Sequence, residues 1–209
     1  SDQRELRLTK KLIQTSLFQL PAAHLTSLNE IDIRNQRHKS RGLANKDKII
    51  LNVASMDNYK ELTAVLIHEM GHIVDLGLLQ GRSRFNSPFK DGNRKIFKDD
   101  ASVDFYGISW SRSDQKRYNA KRSDFVSGYA QADPFEDFAE TYLMYRLHGD
   151  KFRALKRKSN ALRAKYTFMK DRVFQGKEFQ MEKDNDYQFK NQHFDNTLLD
   201  FDSKDLIKK

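Results

Sequence analysis

Two histidines and a glutamate stand inside the most apolar stretch of the chain, "LTAVLIHEMGHIVDLGLLQG" (62–81). Leu62, Leu66, Ile73 and Leu76 fall on overlapping turns, so the segment reads as a helix that packs into the core. His68, Glu69 and His72 are costly there unless each finds a polar partner. Any fold of this chain must therefore bury the helix and also bring partners to those three side chains. Gly71 adds a second constraint. Glycine inside a helix costs about 1 kcal/mol relative to alanine, and close approach of another backbone would account for it.

Positions 68 and 72 are four apart, so on a helix both imidazoles project from one face. Zinc needs that geometry, with neutral ring nitrogens at about 2.0–2.1 Å. Glu69 is rotated about 100° away, too far round to be a natural third ligand but well placed to contact a water on the metal. Zinc lowers the pKa of such a water toward about 7, and a carboxylate can take its proton as it attacks a carbonyl. The chain has no cysteine, which excludes disulfides and thiolate-bound zinc and leaves His, Asp and Glu as donors. A metzincin pattern would continue with Gly at 75 and His at 78; Asp75 and Leu78 stand there instead. His24, His38, His148 and His193 belong to no matching motif and read as surface or capping residues. Asp75, one turn beyond His72, either supports a ligand or forms a salt bridge.

A catalytic zinc keeps three protein ligands and one open position. The segment "ADPFEDFAETYLMYRL" reads as a second helix, with Asp133 as its N-cap and Pro134 at the first helical position. Glu136 and Glu140 share one face of it. One could bind the metal and the other orient a histidine through its far nitrogen. Asp133 and Glu136 also have capping-box spacing, so Glu136 could instead close the helix N-terminus. Spacing alone does not choose between the two glutamates.

Together, "HEMGHIVD" and "GYAQADPFEDFAETYLMY" resemble the lethal-factor-like zinc metallopeptidases, which include the Pro-Pro endopeptidases. That pattern is HExGHxxD, then a tyrosine, and seven residues later the first Glu of an E-x-x-A-E helix, matched here by Tyr129, Glu136, Ala139 and Glu140. The resemblance covers residues 60–80 and 125–147. It implies that His68, His72 and Glu136 bind Zn²⁺, that Glu69 is the general base, and that Tyr129 stabilises the oxyanion. Glu140 would support a histidine. The regions that set substrate choice in the family have no recognisable counterpart, so its substrates are not carried over.

The rest of the chain fits an α+β, zincin-like domain over 1–178: a small mixed sheet packed on the active-site helix, with a helical C-terminal half. "RELRLTKKLIQTSLFQ" (4–19) places Leu8 and Leu12 at helical spacing before Pro21 ends the run. "LNEIDIRNQ" (28–36) and "KIILNV" (48–53) read as strands, and the second offers an edge for an extended peptide. "RHKSRGLANKD" (37–47) reads as a polar loop, and Ser55 or Asp57 as the cap of the active-site helix. "VDFYGISW" (103–110) reads as a strand or ordered aromatic segment, and 151–174 as one long basic helix. Residues 179–209 read as a tail or linker.

At 209 residues with 38% hydrophobic and 32% charged residues, the chain is long enough for one packed core. No apolar run approaches the roughly 20 residues of a membrane span. A net charge of +9 invites a nucleic-acid reading, but the basic residues are scattered rather than interleaved with aromatics. The expected activity is zinc-dependent hydrolysis of a protein or peptide by a monomer. The alternatives are a nucleic-acid-associated protein and an inactive zinc-binding module. The chain opens at Ser1 rather than methionine, as a processed or a cut protein would, and the expected compartment is bacterial export.

Overall fold

The computed structural model describes residues 2–180 and 195–202. Helix α1 (Asp2–Phe18) forms at the expected place. Its buried stripe is Thr9, Ile13 and Ser16, whereas Leu8 is exposed. One three-stranded sheet follows, in the order β1–β3–β2. Strand β1 (Glu30–Arg34) runs parallel to β3 (Lys48–Asn52), and β2 (Gly42–Ala44) runs antiparallel to it. Ile49 and Leu51 alternate from β3 into the core, as a half-buried strand requires.

Two expectations are corrected here. Strand β3 is paired on both sides, so it offers no free edge; the edges are β1 and β2. Strand β2 in turn lies inside the segment read as a polar loop. Three residues among polar neighbours carry no alternation signal, and only the ladder to β3 makes them a strand.

Helix α2 (Tyr59–Ile73) carries the histidines. Its cap is Asn58, whose side chain accepts from the amides of Lys60 and Glu61. Glu61 reaches back to the amide of Asp57 at 2.7 Å, which completes the capping arrangement one residue beyond the expected position. The chain then winds through a π turn (Val74–Leu78) into a hairpin of β4 (Asn86–Asp91) and β5 (Arg94–Phe97). Gly92 takes a φ of +54° at its tip, a conformation that costs glycine nothing.

Residues 103–110 are mostly helical, contrary to the strand reading: α3 spans Ser102–Ser109. Its buried positions are Ser102, Phe105, Tyr106 and Ser109, a 3.6-residue pattern that β-favouring residue types obscure. Phe105 packs edge-on against Phe138 and Phe168, with centroids at 5.1 and 5.6 Å. Beyond it, β6 (Trp110–Arg112) pairs with β7 (Gln115–Lys116).

Helix α4 (Pro134–Leu147) starts as expected, with Asp133 accepting from the amides of Phe135 and Glu136. The long basic helix is two helices, α5 (Gly149–Leu155) and α6 (Asn160–Phe168). Ser159 separates them by capping α6 through the Leu162 amide at 3.2 Å.

Helices α2 and α4 form the centre of this α+β domain. They meet at Gly71, where an added Cβ would stand 2.7 Å from the Ala139 Cα. Only a residue without a side chain lets the two backbones come this close. Residues 195–202 lie against the same pair of helices, with Asn196, Thr197 and Phe201 buried. Residues 181–194 and 203–209 of the expected tail lie outside the described residues.

Candidate metal centre

The close crossing of α2 and α4 faces the histidines toward the carboxylates. His68 Nε2 is 3.1 Å from Glu136 Oε2, and His72 Nε2 is 3.6 Å from the same oxygen. One donor atom from each of the three residues lies within 4.8 Å of the others. A tetrahedral ion with ligands at 2.0–2.1 Å holds its donors about 3.3 Å apart, a separation that these two distances bracket. The donor set is two imidazoles and one carboxylate, all hard or borderline ligands suited to zinc. The residues fit the metal.

Glu140 stands behind this group, fully buried. Its Oε1 is 2.9 Å from His68 Nδ1. A carboxylate oxygen accepts, so Nδ1–H donates to it, and Nε2 is the nitrogen turned toward Glu136. The two glutamates, which spacing could not separate, therefore occupy different places. Glu136 faces both Nε2 atoms, and Glu140 faces the far nitrogen of one ring. Glu136 does not close its own helix: Asp133 does that alone, and the Glu136 carboxylate turns away to the histidines.

The electrostatics follow from this geometry. Burial opposes a charge on His68 and His72, yet the neighbouring carboxylates outweigh it, and both rings are held above the ordinary histidine range. Burial likewise opposes ionisation of Glu136, but the two histidines beside it hold its carboxyl well below the usual carboxylate range. Protons and a divalent cation therefore compete for the same ring nitrogens, so metal uptake here releases protons.

Glu69 lies beside this group, off the focus of the three donors. Burial raises its carboxyl pKa, with the histidines opposing. Its carboxylate packs against β2 at Gly42, where an added Cβ would fall 2.2 Å from Glu69 Oε1. Tyr129 is 41% exposed and its ring centroid is 6.0 Å from that of His68. Burial first, then the nearby Glu136 carboxylate, raises the pKa of its hydroxyl. Gly42, Glu69, Tyr129 and Glu136 all line one open cleft of about 460 Å³.

Asp75 is buried, and its Oδ1 accepts from the Tyr106 hydroxyl at 2.5 Å. Burial pushes its pKa up to about 7. No hydrogen bond joins it to His72 and no ion pair forms on it among the described residues.

Two other histidines are not on the surface, although His148 does stand at the C-cap of α4, one of the two places expected for it. His24 is buried, between the Tyr142 hydroxyl at 2.7 Å and the Val173 carbonyl at 2.8 Å. His148 is buried where α4 meets α5, and burial pushes its pKa down to about 3. Both fill aromatic packing far along the chain, which local sequence cannot reveal. His38 is exposed as expected, and His193 lies outside the described residues. Sequence reasoning missed Gly42 and Asn196, which touch Glu69 and Glu140; no periodicity or motif marks either.

No curated protein and no solved structure matches the chain. A family match spans residues 44–199, about three quarters of the chain, and includes both helices of the centre. The chain therefore belongs to the family described as "Putative zinc-binding metallo-peptidase".

Proposed function

We propose that the chain is a zinc-dependent endopeptidase with a zincin-like architecture and a site of the lethal-factor-like type. The observation that carries this reading is the meeting of His68, His72 and Glu136 at one focus, with Glu69 in the same cleft but outside that focus. His68, His72 and Glu136 would hold the ion. When bound, zinc supplies Lewis-acid polarisation of a carbonyl and acidifies a coordinated water.

Glu69 is the general base. Burial raises its pKa, which makes its carboxylate a better acceptor for a proton of the attacking water. The hydroxyl oxygen adds to the carbonyl carbon, the proton passes through Glu69 to the departing amine, and the C–N bond breaks. Tyr129, kept protonated by its raised pKa, donates its O–H to the developing oxyanion. Glu140 fixes the orientation and tautomer of His68. Strand β2 lies on the cleft rim as one of the two edges of the sheet, and an extended substrate would add there as a further strand.

Metal removal tests this reading. A strong chelator should abolish cleavage of unfolded casein, and one equivalent of zinc should restore it. Cleavage that survives complete removal of zinc would overturn the proposal, and zinc uptake without any cleavage would leave a binding module.

A further inference from the structure

We propose that the backbone amide of Asn196, on the segment 195–202, is a positioning group for the metal centre, acting through Glu140 and His68. The inference rests on the reading of His68, His72 and Glu136 as the zinc site and adds a part that no motif carries. Glu140 has two carboxylate oxygens and no exposure to water. Oε1 faces His68 Nδ1 at 2.9 Å, and Oε2 accepts from the Asn196 amide at 2.8 Å. A buried carboxylate with one oxygen unpaired would be free to rotate, and the loss of that partner would itself be costly. Both oxygens are fixed here, so the orientation of His68 depends on a residue 128 positions further along the chain.

The segment is held independently at each side of this contact. Arg41 bridges Glu61 on α2 and Asp195. Asp195 Oδ1 also accepts from the Thr197 amide at 2.8 Å, which caps the short turn Asn196–Leu198. Lys60 pairs with Asp200, and Phe201 is buried against His148 with centroids at 6.2 Å. Arg41 directly precedes Gly42, so the same ion pair connects the segment to the strand against which Glu69 packs. Asp195 and Thr197 line the cleft with the metal donors.

The turn accepts a proline at Asn196, and the proline ring would also press on the Glu140 carboxylate now 2.8 Å from the nitrogen. Asn196 is the first residue of its turn, a position proline tolerates because no internal partner is lost there. Asp195 is extended, with φ −111° and ψ 148°, which a following proline requires. Asn196→Pro therefore replaces the N–H donor with a ring methylene that turns Glu140 Oε2 away, and removes the side chain, whereas Asn196→Ala removes the side chain alone and keeps the N–H.

Zinc affinity of the full chain, measured by competition with a chelator, decides the proposal. Asn196→Pro should bind zinc about 10-fold more weakly than the parent, and Asn196→Ala should bind within about 3-fold of it. Combining Asn196→Pro with Glu140→Gln should add little to Glu140→Gln alone, because both act on one hydrogen-bond chain. Equal zinc affinity in the Pro variant and the parent would overturn the proposal, as would equal weakening in the Pro and Ala variants. If the Pro variant does not fold, hydrogen exchange of the parent decides: the Asn196 amide should exchange at least about 10-fold more slowly with zinc than without. Unchanged exchange would reject it. A parent that takes up no zinc would instead sink the proposed function. Zinc binding that weakens in Glu140→Gln but not in Asn196→Pro would sink only this inference.

Discussion

Glu69→Gln should retain zinc at parental affinity and lose peptide hydrolysis by on the order of 10²- to 10⁴-fold, the usual range for a general base. The change preserves shape and removes only the ability to take a proton. Zinc should stay because Glu69 does not belong to the donor group of His68, His72 and Glu136. The structure adds a second way to reach the same defect. An added Cβ at Gly42 would lie 2.2 Å from Glu69 Oε1 and 2.7 Å from its Cδ, so Gly42→Ala must push the carboxylate aside. That variant should bind zinc normally and fall in kcat, with a smaller change in thermal stability than in rate. Hydrolysis near the parental rate in Glu69→Gln would remove Glu69 from the mechanism.

The largest loss of stability is expected one residue beyond the candidate ligand. Asp137 and Lys165 form an ion pair in which both side chains have no exposure. Lys165 Nζ donates to both Asp137 oxygens at 2.9 and 2.7 Å and to the Asp124 carbonyl at 2.8 Å. Trp110 Nε1 donates to Asp137 as well, at 2.9 Å. Burial pushes the Asp137 pKa up and the Lys165 pKa down, against the attraction between them. The pair is therefore costly to bury and costlier to break. Lys165→Met strands a buried carboxylate and should cost about 3–5 kcal/mol, lowering Tm by roughly 6–20 °C for a domain of this size. Asp137→Leu with Lys165→Met should recover part of that loss, since an apolar pair avoids the desolvation but leaves the Trp110 N–H and the Asp124 carbonyl without their partners. Thermal unfolding of the single and double variants measures this. A Lys165→Met protein that melts within about 2 °C of the parent would show that the pair contributes little.

What could be read in advance follows from where each signal resides. The polar residues inside the apolar helix were legible because local sequence makes them costly. Asp133 and Pro134 were legible because helix starts use local chemistry, and Asn58 was misplaced by one to three residues for the same reason: several capping residues stand together there. Gly71 could be recognised as anomalous, but its cause, Ala139 on a second helix, is a tertiary fact. Helix α3 was misread because Val103, Phe105, Tyr106 and Ile108 favour strands, while burial at 102, 105, 106 and 109 selects a helix. Strand β2 and the contact at Asn196 left no local trace. Each is defined by a partner distant in sequence: β3 for the strand, Glu140 for the amide.

The choice between Glu136 and Glu140 rests on geometry that zinc itself can report. Zinc titrations of the parent, Glu136→Gln and Glu140→Gln test the centre most directly. The parent should take up one zinc per chain. Glu136→Gln should lose a ligand and bind far more weakly, while Glu140→Gln, which still leaves three donors, should weaken binding by only about 10–100-fold. Severe zinc loss in Glu140→Gln with near-parental binding in Glu136→Gln would contradict the assignment and move the third ligand one turn along the helix.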